Sequence, residues 1–432
     1  MPFARPPKQD HFPNGSIVSI LNKLSAPSIH LAEFMSESRL RQLLADQHSG
    51  SPGSRIVRTI GTRGAMSAAD IARATGLARS TVSMALVELR KSGIVVEGGE
   101  ADVPARGVGR PATKLSLNPT AGTCIGIHLG LADIRLALAD VSHSVIAEQI
   151  IDLGRDYGPD RAAHALKDAV ARIYRDNGLP ASGLIGAGVS VSAPVGLDGA
   201  VLRSSILPVW AGVNVHELFA PLIKRPVHAD NESNCAAIAE MMWGGAVGYD
   251  DFVLFKIDLG IGGAIVSGGR IVTGAAGGAG EFGHIAIEPN GDLCRCGNRG
   301  CLELYASFVR PLEQLSRLHN RDMSMDDAIL LAEQGDAGAL RLIADTAEMA
   351  GRGLAMIGTL INPPLILIGG RMALAGEILL APLQRSFERH TLIKSVQVPP
   401  AARTQIKIGK LTENDSLLGA VGLVLRSQGA GR

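Results

Sequence analysis

The chain has 432 residues, with 42 Lys+Arg against 41 Asp+Glu, 46% hydrophobic and 19% charged residues. This composition excludes general disorder, and the near-zero net charge means that any nucleic-acid surface must be local. The length suggests about three domains.

Five cysteines, three of them packed between Cys294 and Cys301, read as metal chemistry in a reducing compartment more than as a disulfide framework. The N-terminus has no basic start followed by a clean apolar run, so a cytoplasmic protein without a secretory leader is expected. The most apolar stretch, Leu354 to Ile368, is broken by Asn362-Pro363-Pro364, which fits a helix followed by a buried strand better than a membrane span.

In chain order, residues 1–37 mix Pro, Ser and Lys with short apolar pieces and are expected to form a partly disordered arm. Residues 38–120 read as helices followed by a short hairpin. Ser67 with Asp70 three residues on is a variant capping box that starts a helix, with Ile71, Ala72 and Thr75 on its inner side. Gly76 permits a tight turn and Leu77 plugs the corner. In the next helix Val82, Leu86 and Leu89 share one buried stripe. That leaves Arg79, Ser80, Thr81 and Ser83 near an exposed N-terminal end, where a helix-turn-helix enters the major groove.

Strands over Ile94–Val96 and Thr113–Leu117 then bracket Ala105–Pro111, a wing whose Arg106 and Arg110 are candidates for minor groove or phosphate. Between Ser54 and Leu117 there are ten Lys/Arg and five Asp/Glu, the local basic excess that the whole chain lacks.

Beyond Thr123, strand-like runs at Cys124–Leu129, Leu184–Val191, Phe252–Ile257 and Leu365–Ile368 alternate with helical patterns at Ala162–Asp176, Ala236–Trp243 and Asp336–Leu360. Such alternation implies an α/β architecture over residues 121–432. Two glycine-punctuated strand openings, Gly126–Gly130 and Asp258–Gly263, suggest two related lobes.

Residues 284–301 carry the metal pattern. His284, Cys294, Cys296 and Cys301 supply one imidazole and three thiolates, and Gly297 and Gly300 let the loop fold back. This is a closed tetrahedral set for one structural Zn2+ per chain. Cys124 and Cys235, in apolar contexts, read as packing residues.

The segment Glu281–Glu303 and the run Asn362-Pro363 through Ile366–Gly370 resemble the ROK family of repressors and sugar kinases. The resemblance covers roughly Thr123 to the C-terminus. It implies a two-lobed, actin-like sugar-kinase fold with a monosaccharide or sugar derivative in the cleft. The winged helix is what the family's regulators carry and its kinases lack. By resemblance, Asn231, Glu281 and Glu303 match hydroxyl-binding positions, and His284 matches a residue that holds zinc and faces the sugar. Glu232 stands where the kinases place a catalytic aspartate and is expected to contact the sugar.

The phosphate loops depart from the kinase pattern. The family's aspartate-x-glycine-glycine-threonine is His128-Leu129-Gly130-Leu131-Ala132 here, and its glycine-threonine-glycine is Asp258-Leu259-Gly260. Met84 also stands where regulators of this type often carry a basic residue. The sequence therefore points to a sugar-responsive regulator, a repressor of carbohydrate metabolism or transport genes, with no catalytic residues. It is expected to bind palindromic operator DNA as a homodimer or homotetramer, away from membranes. The alternatives are an active kinase with an attached DNA-binding domain, or a regulator signalled by a partner protein.

Overall fold

The computed structural model describes residues 37–45, 50–98, 113–202, 206–411 and 414–427. The N-terminal arm (apart from its last residue) and the wing with Arg106 and Arg110 lie outside them.

The first unit opens with helices α1 (Glu37–Ala45) and α2 (Pro52–Arg63), a short strand β1 (Met66–Ser67), and helices α3 (Ala68–Thr75) and α4 (Arg79–Lys91). Strands β2 (Val95–Glu97) and β3 (Lys114–Leu117) close it in the order β1-β3-β2. Strand β1, two residues long, has no periodicity that a sequence can reveal.

Two five-stranded sheets follow. The first contains β4 (Thr123–Leu129), β5 (Asp133–Asp140), β6 (Val145–Asp152), β7 (Leu184–Val191) and β8 (Val227–Asn231), ordered β6-β5-β4-β7-β8. The second contains β9 (Phe252–Ile257), β10 (Ile261–Ser267), β11 (Arg270–Ile271), β12 (Leu365–Gly369) and β13 (Gln405–Ile408), ordered β11-β10-β9-β12-β13. In each, the first three strands form an antiparallel meander and the last two run parallel to the first. The two glycine-punctuated openings thus begin two copies of one topology. The apolar runs are strands covered on both faces: every residue of β7, β9 and β12 is buried. The edge strand β6 instead alternates exposed and half-buried positions along its second half.

Helix α5 (Pro159–Asp176) covers the first sheet with Ala162, Leu166, Ala169 and Ile173, a stripe at spacings of four, three and four. Next come α6 (Val215–Ile223) and α7 (Glu232–Trp243). After the second sheet's meander come α8 (Glu303–Ala306), α9 (Val309–His319) and α10 (Met325–Glu333). Helix α11 (Ala337–Ile361) is capped by Asp336 and stops at Asn362, φ 47°, ahead of Pro363 and Pro364. It packs along α12 (Glu377–His390), and α13 (Asp415–Ser427) ends the described chain.

Helix α13 joins the units. It lies on β4, β7 and α7, so close that a Cβ on Gly419 would stand 1.7 Å from the Cys235 carbonyl oxygen. Its Leu417, Val421, Val424 and Leu425 share one apolar cluster with Leu40, Ile56, Ile60, Val82, Leu86 and Leu117 of the first unit, and with Cys124 and Ile185 of the first sheet. The helix-turn-helix is therefore seated on the kinase-like part through a common core. Among the described residues, no helix is long and apolar enough to cross a membrane.

Candidate functional site

Three constellations carry chemistry: the helix-turn-helix, a thiol cluster and a group of carboxylates at the expected sugar cleft.

Helix α3 starts because the Ser67 hydroxyl accepts from the Asp70 amide at 3.2 Å. The Asp70 carboxylate accepts from that same hydroxyl at 2.6 Å rather than from a backbone amide, so the box is a variant. Ile71, Ala72 and Thr75 are buried, and the Thr75 hydroxyl bonds the Ile71 carbonyl at 2.6 Å. Gly76 adopts φ 65°, a left-handed cap that turns the chain into α4. Leu77 is half-buried against the core. In α4, Val82, Leu86 and Leu89 are buried, while Arg79, Ser80 and Ser83 are exposed and Thr81 half-buried. No side chain caps the N-terminus of α4, so its first-turn amides have no intrahelical or side-chain partner, as a phosphate contact requires. At the wing's base, Asn118 donates to the Gly93 carbonyl at 2.7 Å.

This unit is fastened to the second sheet as well. Arg426 of α13 donates to the Thr62 carbonyl at 3.1 Å and to the Gly269 carbonyl at 2.7 Å. Arg63 lies 3.6 Å from Asp250.

The ligand atoms of His284, Cys294, Cys296 and Cys301 all lie within 4.8 Å of one another. Cys294 Sγ is 3.7 Å from His284 Nδ1, and Cys296 Sγ is 3.6 Å from Cys301 Sγ. Ligands at about 2.0–2.3 Å around one tetrahedral ion stand roughly 3.5–3.8 Å apart, so these two pairs already stand at ligand spacing and the four donors could hold one metal ion. The loop reaches this closure because Gly300, at φ 65°, abuts the Glu288 carbonyl oxygen, where a Cβ would stand 1.7 Å away. Burial, then hydrogen bonding with Cys296 and Cys294 and their charge, pushes the Cys301 thiol up to about 12, a penalty that a bound dication would remove.

In the cleft, Asn231 caps α7. Its side-chain oxygen accepts from the Ser233 amide at 2.8 Å and its amide donates to the Ala193 carbonyl at 3.1 Å. Glu232 accepts from the Ser192 hydroxyl at 2.6 Å. Glu303, at the start of α8, accepts from the Ile261 amide at 3.2 Å and from Arg295 at 2.7 Å. Burial, then the charges of Glu303 and Glu232, pushes the Glu281 carboxyl up to about 7. Three carboxylates from separate segments thus converge, and the loop that carries the thiols contributes Arg295 beside one of them. The structure brings Glu232, Glu281 and Glu303 close enough for their charges to interact, and puts His284 among the thiols.

Sequence reasoning missed Lys256. This buried side chain in β9 donates to Asp415 Oδ1 at 3.2 Å and to the Ser416 hydroxyl at 3.1 Å. Asp415, then Glu232 and Asp258, outweigh burial and hold its pKa above the usual lysine range. Burial pushes the Glu232 carboxyl up, but Lys256, His128 and the Ser192 hydroxyl outweigh it and hold it below its ordinary value. The signal in the sequence was a single lysine inside the apolar run Phe252–Ile257. The loop aspartate is also engaged: Asp258 accepts from the Leu259 amide at 2.9 Å and the Arg371 amide at 3.2 Å. The protein's own carboxylate therefore takes one amide of the loop between β9 and β10 and one of the segment that follows β12.

An IclR helix-turn-helix domain matches residues 53–98. A xylose repressor from Caldicellulosiruptor bescii is 28% identical over 86% of this chain and 94% of its own. The crystal structure of a ROK family transcriptional regulator, described as a homologue of the E. coli MLC protein, superposes with a TM-score of 0.71. It covers 89% of this chain and 98% of its own at 24% identity, a likeness of fold. A ROK family glucokinase from Streptomyces griseus, crystallised with glucose and AMPPNP, gives 0.61 at 27% identity, covering 70% and 99%. The ROK family's own sequence profile matches residues 124–427, and the chain belongs to the ROK family.

Proposed function

We propose that the protein is a sugar-responsive, DNA-binding transcriptional regulator, a repressor of carbohydrate genes, whose kinase-like cleft senses a sugar without phosphorylating it. The observation that carries this reading is the span of α13. Asp415 at its start holds Lys256 in the cleft at 3.2 Å, and Arg426 near its end holds Thr62 of the helix-turn-helix unit at 3.1 Å. A change in lobe closure that moves Lys256 therefore acts on the DNA-binding unit through a packed helix. The sugar acts only through its differential affinity for two closures, and about 10⁴-fold would swing the population from one to the other.

In this reading Asn231, Glu232, Glu281, His284 and Glu303 contact the sugar. Sugar hydroxyls are donors, and buried carboxylates accept from them with charge-assisted strength. His284, Cys294, Cys296 and Cys301 hold one structural zinc, which fixes the loop bearing Arg295 and leading to Glu303. Arg79, Ser80, Thr81, Ser83, Arg106 and Arg110 contact operator DNA. A cytoplasmic homodimer or homotetramer would then place helices on half-sites about 34–36 Å apart.

Two features speak against phosphoryl transfer. A general base works best with a pKa near the working pH, whereas Lys256 holds Glu232 below its ordinary range. Asp258 also engages the Leu259 and Arg371 amides and places negative charge where a triphosphate would need neutralisation.

The test is a thermal-shift panel of neutral monosaccharides on the zinc-loaded protein, with an ADP-release assay on each sugar that binds. The expected result is a stabilising sugar and no ADP. Turnover at ordinary kinase rates, about 1 s⁻¹ or more, overturns the sensor reading.

A further inference from the structure

We infer that Met84 and Val87 read thymine methyl groups in the major groove of the operator. This rests on the DNA-binding reading and adds the source of its sequence preference.

The outward side of α4 is a defined stripe. Ser80, Ser83, Met84 and Val87 fall at i, i+3, i+4 and i+7, on the side of the helix away from Val82, Leu86 and Leu89. Met84 is 73% exposed and Val87 61%. Each is large, apolar and open to solvent in the middle of the helix that follows the Gly76 turn. Around them stand the Ser80 and Ser83 hydroxyls, with Lys91 at the end of the stripe and Arg79 and Arg90 at its border. Arg90 is paired with Glu97 at 2.7 Å. The sole carboxylate of α4, Glu88, sits to one side. An apolar pair framed by hydroxyls and cations complements a polyanion better than it complements the mixed charges of a protein rim.

Base edges in the major groove offer one apolar group, the C5-methyl of thymine. A serine hydroxyl bonds almost any base edge and discriminates weakly. Met84 and Val87 have no polar group to offer there, so their burial is favourable over a methyl and unfavourable over an amino or carbonyl edge. Three residues of helix advance about 4.5 Å, against 3.4 Å per base pair. The two methyls therefore belong to adjacent or next-but-one base pairs in each half-site.

The experiment uses the full-length, zinc-loaded protein. An operator is selected from a random duplex library, and each thymine is then replaced singly by deoxyuridine, which removes only the methyl. The expected result is a loss of about fourfold in affinity at one or two thymines per half-site and none elsewhere, the scale of one buried methyl. Met84→Ser or Val87→Ser removes the sensitivity at its own position, and Met84→Arg moves the preference there from thymine to guanine. Both side chains are exposed, so the variants should fold, and an unchanged melting temperature checks this.

An operator bound normally but indifferent to every deoxyuridine overturns the assignment alone. So does deoxyuridine sensitivity that survives in both serine variants, or a changed oligomeric state in Met84→Ser without a change in methyl sensitivity. A library that returns no operator overturns the DNA-binding reading, and the assignment with it.

Discussion

The Lys256 ammonium donates to Asp415 Oδ1 at 3.2 Å, which ties the central strand of the second sheet to the first residue of the helix lying on the first sheet. Both groups are nearly solvent-free, at 8% and 5% exposure. Removing one partner of a buried pair leaves an uncompensated charge, which costs about 3–5 kcal/mol. Lys256→Met should therefore lose roughly that much stability in urea unfolding. The double variant Lys256→Met/Asp415→Leu should recover the part owed to Asp415, because an apolar pair is often neutral in place of a buried ion pair, while Glu232 still lacks its cation. An equal loss in both would mean that the pair does not act as a unit.

The thiol cluster predicts its own metal dependence. Cys296→Ser removes one of four converging donors and should lower the zinc content from about one per chain, with a lower melting temperature. A variant that retains its zinc and its melting temperature contradicts the four-donor site.

Glu281→Gln keeps the shape of the side chain and removes the carboxylate that Glu303 and Glu232 crowd. The sugar's stabilising effect should fall at least tenfold in apparent affinity, the scale of one charge-assisted hydrogen bond of about 1.5–3 kcal/mol. Operator binding without sugar should be unchanged. A sugar dose-response equal to that of the wild type removes Glu281 from the site.

Acid should destabilise the protein through two histidines. Burial lowers His143 to about 4, and burial with the charge of His216 lowers His228 to about 4. The Nε2 atoms of both are buried and without a hydrogen-bond partner, so a proton there finds no acceptor in the fold. A depressed histidine pKa means that the unfolded chain binds the proton first. The stability contribution is intact above the unfolded value near 6.5 and is lost as pH falls towards 4. The raised Glu281 carboxyl pulls the other way over the same range, so the check is a difference: between pH 7 and pH 4.5 the urea midpoint should change in a less destabilising direction in His228→Phe than in the wild type. His143 packs edge-on at 5.1 Å against Trp243, so tryptophan emission reports the same titration.

Much of this molecule was legible before its coordinates. Val82, Leu86 and Leu89 announced α4 because amphipathic spacing survives any tertiary context. Leu184–Val191 announced a central strand because only a strand covered on both faces is apolar throughout. The clustering of His284 with the three thiols was legible because thiols and imidazole at short spacing have few other uses, and the carboxylate trio was legible only through family resemblance. The Lys256–Asp415 pair joins residues 159 positions apart, and no local pattern encodes such a partner. Nor did the sequence reveal that Leu117, Cys124 and Leu425 share one core, since an apolar residue does not declare which side of a domain boundary it packs on.

The measurement that bears most directly on the account is operator affinity with and without the sugar that raises the melting temperature, at one fixed salt concentration, in the wild type and in Arg426→Met. A shift of at least tenfold is expected in the wild type, and a much smaller one when α13 loses its hold on Thr62. An operator affinity indifferent to a saturating sugar in the wild type, or a full shift in Arg426→Met, would contradict it.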